Sequence, residues 1–437
     1  MIRRLAELRR SLLISAFFRN TVALISGTVV TQAIVFLASP VLSRIFGLED
    51  FGNLANFNAW VAVLALVSNL RYEHAIIVAR GRKYTSRVMA LTALLSAGSF
   101  MVYSVAAVAI FFLYHGGGYL THLRTIVLMI PAGVLAVTVT SLFIQYNVKR
   151  GKFKLLATVT ATQVVFTLIP QVVLGELHVR NALIFGTIAG YLFSAVVLGW
   201  FFAREVQLRE MRRGLRRTHL LATAREHINF PRYTLAADAI TVIAQQFIPV
   251  FVLALFNPAV AGLYAFSIRV VRVPLIVVST AVAGSLRKEA IDRVHERRSL
   301  VRLFAMTVRT LALMAVVPFI GVLLFAQPIF AFVFGNRWAD AGHLVQILSP
   351  GILFEFIALP LAGFFLVTNT QRYTLAIQFG GFVLLVAALF TGKHYFGDFT
   401  ATCYLVSGVM VTVHLVSILL AGKVARAHGT RVEVAGA

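Results

Sequence analysis

Apolar runs of roughly 20 residues, the length at which an α-helix crosses a hydrocarbon core of about 30 Å, recur along most of the chain. Twelve can be delimited, near 20–46, 51–79, 88–113, 124–146, 155–174, 182–203, 231–256, 258–286, 303–326, 343–368, 373–391 and 400–421. The pattern predicts an all-α polytopic membrane protein with about 12 transmembrane helices. Short polar segments punctuate the runs. SRIFGLEDFGNLANF, residues 43–57, sets an Arg, two adjacent acids and two glycines between runs one and two. It predicts a tight hairpin, in which glycine supplies the backbone freedom that a helix-to-helix turn needs. LFNPAVAGLYAF, residues 255–266, stands between runs seven and eight with Gly262 in register with Gly52. Six spans separate the two copies, and an even number gives both halves the same orientation. Two six-helix lobes related by a pseudo-two-fold along the membrane normal are therefore expected.

The expected organisation is an amphipathic N-terminal segment at 1–19, a first lobe at 20–203, a basic linker at 204–228, a second lobe at 229–421 and a tail at 422–437. The segment MIRRLAELRRSLLISAFFRN has a short apolar core and no small-residue cleavage site before the first run, so it reads as a retained surface helix rather than a removed signal. Composition agrees with a membrane class: 59% of residues are hydrophobic, 13% charged, and the mean hydropathy is +0.86. The lone Cys403 forms no intramolecular disulfide and reads as packing.

A net charge of +24 would suit nucleic acid, but its placement points elsewhere. With a cytoplasmic N-terminus, the inward tails and connections hold thirty Lys and Arg, and the outward ones only Arg44, Arg124, Arg180, Arg337 and Lys393. This is the positive-inside bias, with both termini cytoplasmic and anionic membrane lipids as partners. No nucleic acid is required.

Little supports catalysis. Outward connections are short, the longest being YHGGGYLTHL at 114–123, and there is no Walker sequence, HExxH or credible Ser, His and Asp set. The HGGG within that connection lacks a G-x-S-x-G elbow and reads as a turn. Neither a metal site nor a cofactor is expected, and a secondary transporter fits best.

Five basic residues fall inside the runs: Arg71, Arg232, Arg269, Arg272 and Arg309. An Arg at the centre of a spanning helix costs about 2.5–3.5 kcal/mol on insertion scales, so such residues face a watery cavity or a partner. Arg269 and Arg272, three apart in IRVVRVP, share a helical face at mid-depth, and Pro274 just beyond them is placed to kink the helix. Two fixed guanidinium groups suit an anionic phosphate, which Arg binds through two parallel hydrogen bonds. Asp238, Glu355 and Glu73 are the acids available for charge pairing or for coupling to H+ or Na+. Five cations against three acids predict a net positive interior. Weaker signals are His414 in run twelve, which reads as packing, GTIAG at 186–190, which permits close helix approach, and Trp200 and Trp338, which sit where interface anchors are expected.

The two-lobed twelve-span layout, RIFGLEDFG, SNLRYEHAIIVA at 68–79 and AGLYAFSIRVVRVP at 261–274 resemble the Wzx-type polysaccharide-repeat flippases. Those belong to the superfamily that also contains multidrug and toxic compound extrusion transporters and lipid II flippases. The resemblance implies a bacterial inner-membrane protein that moves an undecaprenyl-diphosphate-linked oligosaccharide to the periplasmic leaflet by alternating access, for O-antigen or exopolysaccharide assembly. It also implies work beside a polysaccharide polymerase and other assembly proteins. On that resemblance Arg269 and Arg272 would engage the diphosphate or acidic sugars, with Arg71 and Glu73 as a second group. The first run holds no acid, where drug-extrusion members often place one. A cation-coupled drug or organic-ion antiporter and a membrane glycosyl-transfer enzyme remain the alternatives.

Overall fold

A backbone that crosses lipid must satisfy every N–H and C=O within itself, which for apolar runs of this length leaves the α-helix. The computed structural model describes residues 27, 29–113, 124, 126–205, 215, 217–296 and 298–436, and among them no residue is in a strand. In chain order the helices are α1 (Val29–Ile45), α2 (Leu48–Ser68), α3 (Ala75–Val78), α4 (Arg82–Leu113), α5 (Ile130–Lys149), α6 (Phe153–Glu176), α7 (Ala182–Glu205) and α8 (Arg217–Glu226). There follow α9 (Leu235–Gln246), α10 (Ile248–Leu255), α11 (Pro258–His295), α12 (Val301–Phe334), α13 (Ala339–Val367), α14 (Gln371–Tyr395) and α15 (Phe399–Gly436). The expected surface segment at 1–19, the HGGG connection at 114–123 and residues 206–214 of the linker lie outside the described residues.

Ten of the described helices are long and apolar enough to cross a membrane, or eleven when the pair Phe230–Gln246 and Ile248–Leu255, bent by 49°, is counted as one span. The shorter apolar α1 corresponds to the first expected run. The fold is thus the expected all-α polytopic one, with two local departures. The run at 51–79 is not one helix: α2 stops at Ser68, Leu70 and Arg71 adopt left-handed φ of 49° and 61°, and a 3-10 turn at Tyr72–His74 leads into α3. Left-handed residues cannot continue a right-handed helix. α11 runs through Pro274 to His295 as one helix. A break falls at Phe247, just before Pro249, whose missing N–H sits in the first turn of α10, where no intrahelical partner exists in any case.

The helices gather into two compact units. One contains the described residues up to Ala38 with 60–113 and 124–236, the other 39–59 with 237–436, so the first hairpin clusters with the second half of the chain.

In the first unit α6 and α7 pack closely along the glycines of GTIAG. A Cβ on Gly186 would overlap Gln171 Cγ and stand 2.6 Å from the backbone oxygen of Thr167, while one on Gly190 would overlap Thr167 Oγ1. The buried Gln171 cannot easily yield, because its amide donates to Leu183 O at 2.9 Å. Gly186→Leu is therefore expected to cost about 1–3 kcal/mol by overpacking, read as a lower thermal midpoint of the detergent-purified protein; an unchanged midpoint would contradict the close packing.

In the second unit the hairpin is fixed by an aromatic plug. Phe51, Phe266 and Trp338 are almost fully buried. Phe51 meets Phe266 edge-on at 5.0 Å and Trp338 edge-on at 5.2 Å, and Phe266 lies 4.0 Å from Trp338. Burial of each such ring contributes roughly 1.5–3 kcal/mol. Trp338, expected as an interface anchor, is a core residue whose Nε1–H donates to Ser43 O at 2.9 Å. Trp200 does stay exposed, with the Arg204 guanidinium 3.6 Å from its ring centre.

Candidate functional site

The first turn of α11 is capped by Asn257, whose Oδ1 accepts from Val260 N at 2.9 Å, and the helix then proceeds without a break. Arg269 lies 11 residues after Pro258, so about 17 Å along the axis at about 1.5 Å per residue, near the middle of a hydrocarbon core of about 30 Å. Arg272 stands one turn further on.

The two guanidinium groups differ in company. Arg272 donates from Nη2 and Nε to the same Glu355 oxygen, at 2.9 and 3.2 Å. Glu355 comes from α13 and its side chain is 13% exposed, against 36% for Arg272. Arg269 is half-buried and has no hydrogen-bond or ion-pair partner among the described residues. The pair is electrically closed and the neighbouring cation is open. An anion reaching this depth would find a desolvated guanidinium with its donor fork unspent, where charge-assisted hydrogen bonds are strongest.

Glu355→Gln tests the pair, since it leaves Arg272 without a counter-charge. Breaking a buried pair costs about 3–5 kcal/mol, and partial exposure of Arg272 puts the expected loss at the low end, about 3 kcal/mol. The double substitution Arg272→Gln with Glu355→Gln should recover part of the loss. A thermal-unfolding double-mutant cycle checks this, and simple additivity would contradict a direct pair.

The other expected residues are dispersed. Arg71 and Glu73 are brought together in the first unit, Nη1 to Oε1 at 3.3 Å, at the left-handed break after α2. Glu73 is buried and its Oε2 lacks a partner. Beside it Asn69, equally buried, accepts from Ser96 Oγ at 2.6 Å through Oδ1. Strained backbone around buried polar groups needs such support to persist. Arg232 is exposed on a π-helical turn at Phe230–Thr234, its guanidinium 5.3 Å from the Tyr233 ring. Arg309 is exposed on α12, and neither it nor Arg232 forms an ion pair with a described residue. Asp238 belongs to the second unit, where it lines a cavity of about 350 Å³ with Thr241, Arg287, Gln371, Thr374 and Gln378. His414 is half-buried in α15. No group of three or more His, Cys, Asp or Glu among the described residues is arranged to hold a metal ion.

One feature of the second unit was visible in the sequence only as an echo. The first turns of α2 and α11, the two copies of the glycine turn, meet backbone to backbone. A Cβ on Gly52 would overlap Pro258 O, and one on Gly262 would overlap Leu48 O. The two glycines answer each other, each meeting the residue four before its counterpart. A latch secures the loop end: Ser43 Oγ donates to Phe334 O at 3.2 Å, and Arg337 Nη2 donates to the carbonyls of Ser43 and Arg44 at 2.5 Å each. Asp50 serves the turn locally, Oδ2 accepting from Gly47 N at 2.9 Å.

Solved structures with this fold are transporters. An inward-facing multidrug-resistance MATE-family transporter of the MOP superfamily aligns with a TM-score of 0.66 at 13% identity, covering 96% of each chain. The outward-facing conformation of a MATE-family transporter aligns at 0.56 and 15% identity, covering 95% of this chain and 96% of the other. A MOP-superfamily transporter from Pyrococcus furiosus, described as having a binding pocket of reversed polarity that suggests a different function, aligns at 0.55 and 13% identity, covering 94% and 96%. The chain shares the fold of these proteins. Comparison with curated proteins finds no match. The family profile described as polysaccharide biosynthesis protein matches residues 41–343. The chain belongs to that family, the membership expected from its RIFGLEDFG, RYEHAI and IRVVRVP segments.

Proposed function

We propose that this transporter is a flippase for undecaprenyl-diphosphate-linked oligosaccharides, moving their headgroups from the cytoplasmic to the periplasmic leaflet for cell-surface polysaccharide assembly. The observation that carries the reading is Arg269: an Arg halfway along a membrane-spanning helix, next to an Arg already neutralised, with no ion-pair partner of its own among the described residues. Family membership in polysaccharide biosynthesis supports a glycan-bearing cargo, and a mid-depth cation suits the diphosphate that joins glycan to lipid. The polyprenyl chain stays in the bilayer while the polar headgroup alone passes through protein. On this reading the protein sits in a bacterial inner membrane with both termini cytoplasmic, an orientation supported by the basic residues gathered at one set of helix ends. Asp238, Glu355 and Glu73 are the groups through which H+ or Na+ would couple to the cycle, and a polysaccharide polymerase is the downstream partner.

A competition in proteoliposomes tests the cargo class. Purified protein should translocate a fluorescent lipid-diphosphate oligosaccharide and leave an organic cation untransported; movement of the cation alone would establish the antiporter instead.

A further inference from the structure

We infer that the first unit carries a separate binding site for a phosphate-bearing lipid headgroup, in the cavity beneath the turn that joins α3 to α4. This inference concerns a different unit from Arg269 and does not depend on the flippase reading. The cavity measures about 290 Å³ and is lined by Gly81, Arg82, Thr85, Lys149, Arg150 and Glu205 among others, at the ends of three spanning helices.

Its charge is unbalanced by construction. Among the described residues Glu205 is the one carboxylate lining it, and the groups around Glu205 are many. Lys152 Nζ binds Oε1, Arg150 Nε lies 3.4 Å from Oε2, and Tyr146 OH donates to Oε2 at 3.2 Å. Arg82 Nη2 donates to the backbone oxygen of the same residue at 2.8 Å. Lys149 Nζ is held at Ala79 O, 2.5 Å away, and at Thr85 Oγ1. Among the described residues, Lys149, Arg150 and Lys152 against Glu205 leave a surplus of two positive charges, and exposed Arg80 and Lys83 extend the basic surface.

One carboxylate orients these side chains without neutralising them. The cavity mouth is open, since Gly81 adopts a left-handed φ of 77° and a Cβ there would meet nothing within 4 Å. The ends of spanning helices lie at the depth of lipid phosphates, where each nearby Lys or Arg contributes about 1 kcal/mol of attraction. Arg82 and Arg150 offer planar forks of the kind that grip phosphate by two hydrogen bonds. The chemistry is a phosphate or diphosphate ester; its source is a resident anionic phospholipid or a polyprenyl diphosphate.

Native mass spectrometry of the full chain, delipidated in neutral detergent and titrated with phosphatidylglycerol, farnesyl diphosphate or inorganic pyrophosphate, tests the assignment. Wild type should bind at least one of the two lipids, and the tighter of them names the source. Arg82→Gln with Arg150→Gln should weaken lipid binding at least about tenfold. Glu205→Gln should strengthen it, a gain that misfolding cannot produce. Unchanged affinity in both variants, weakening by Glu205→Gln, or binding of pyrophosphate without either lipid would overturn the headgroup site.

Discussion

Gly262→Ala is expected to separate the first turns of α2 and α11, lower the thermal midpoint and depress transport together. The new methyl has no room: its nearest neighbours are Leu48 O, Leu48 C and Gly52 N, all backbone atoms of a helix end, which cannot rotate away as a side-chain tip can. The helix ends must move apart instead, and the latch of Ser43 and Arg337 on the same hairpin moves with them. Overpacking in a tight core costs about 1–3 kcal/mol, and the plug of Phe51, Phe266 and Trp338 adds lost contacts as it is pried open. Gly52→Ala presses on Pro258 O from the other side and should behave alike. Gly284→Ala, on the same helix as Gly262 but with nothing within 4 Å of the added carbon, is the matched control and should be silent. Equal midpoints for Gly262→Ala and Gly284→Ala would refute the backbone contact.

Arg269→Ala should leave the fold intact while transport of a lipid-diphosphate oligosaccharide falls about 10- to 100-fold, the loss of one charge-assisted hydrogen-bonding group worth about 1.5–3 kcal/mol. An unpaired Arg at mid-depth is an expense to the membrane-inserted state, about 2.5–3.5 kcal/mol on insertion scales, so its removal is neutral or stabilising. Arg272→Ala has the opposite signature, because it strands Glu355 and destabilises. Arg269→Lys keeps the charge and loses the fork, and its transport should fall between wild type and Arg269→Ala.

Much of the fold was legible because apolar length is a direct physical requirement of crossing lipid, and the helices follow the runs from 88–113 onward with modest shifts. The break in the run at 51–79 was hidden because Leu70 and Arg71 are neither Gly nor Pro; what turns the chain there is tertiary, through the buried Asn69 and Ser96. Pro274 stands within one continuous helix, as a proline in a spanning helix can when neighbouring groups satisfy the freed carbonyl. The charges of the candidate site were readable as residues and not as pairs. Spacing placed Arg269 and Arg272 on one face, but only the packing of α13 against α11 decides that Glu355 meets Arg272. Trp338 was misplaced at the interface because its burial depends on residues nearly 300 positions away, around Ser43. The Glu205 cluster had no local signal at all, since its cations come from the separate ends of α4 and α5 and the turn after α5.

The most direct measurement of the central claim is headgroup translocation in proteoliposomes by wild type and Arg269→Ala, each first matched for insertion and thermal midpoint, with Arg272→Ala compared at equal inserted amount. The account predicts robust wild-type transport of the lipid-diphosphate oligosaccharide and a fall of about 10- to 100-fold in a well-folded Arg269→Ala. Transport by Arg269→Ala at the wild-type rate would contradict it and leave the open cation of α11 without a part in moving the cargo.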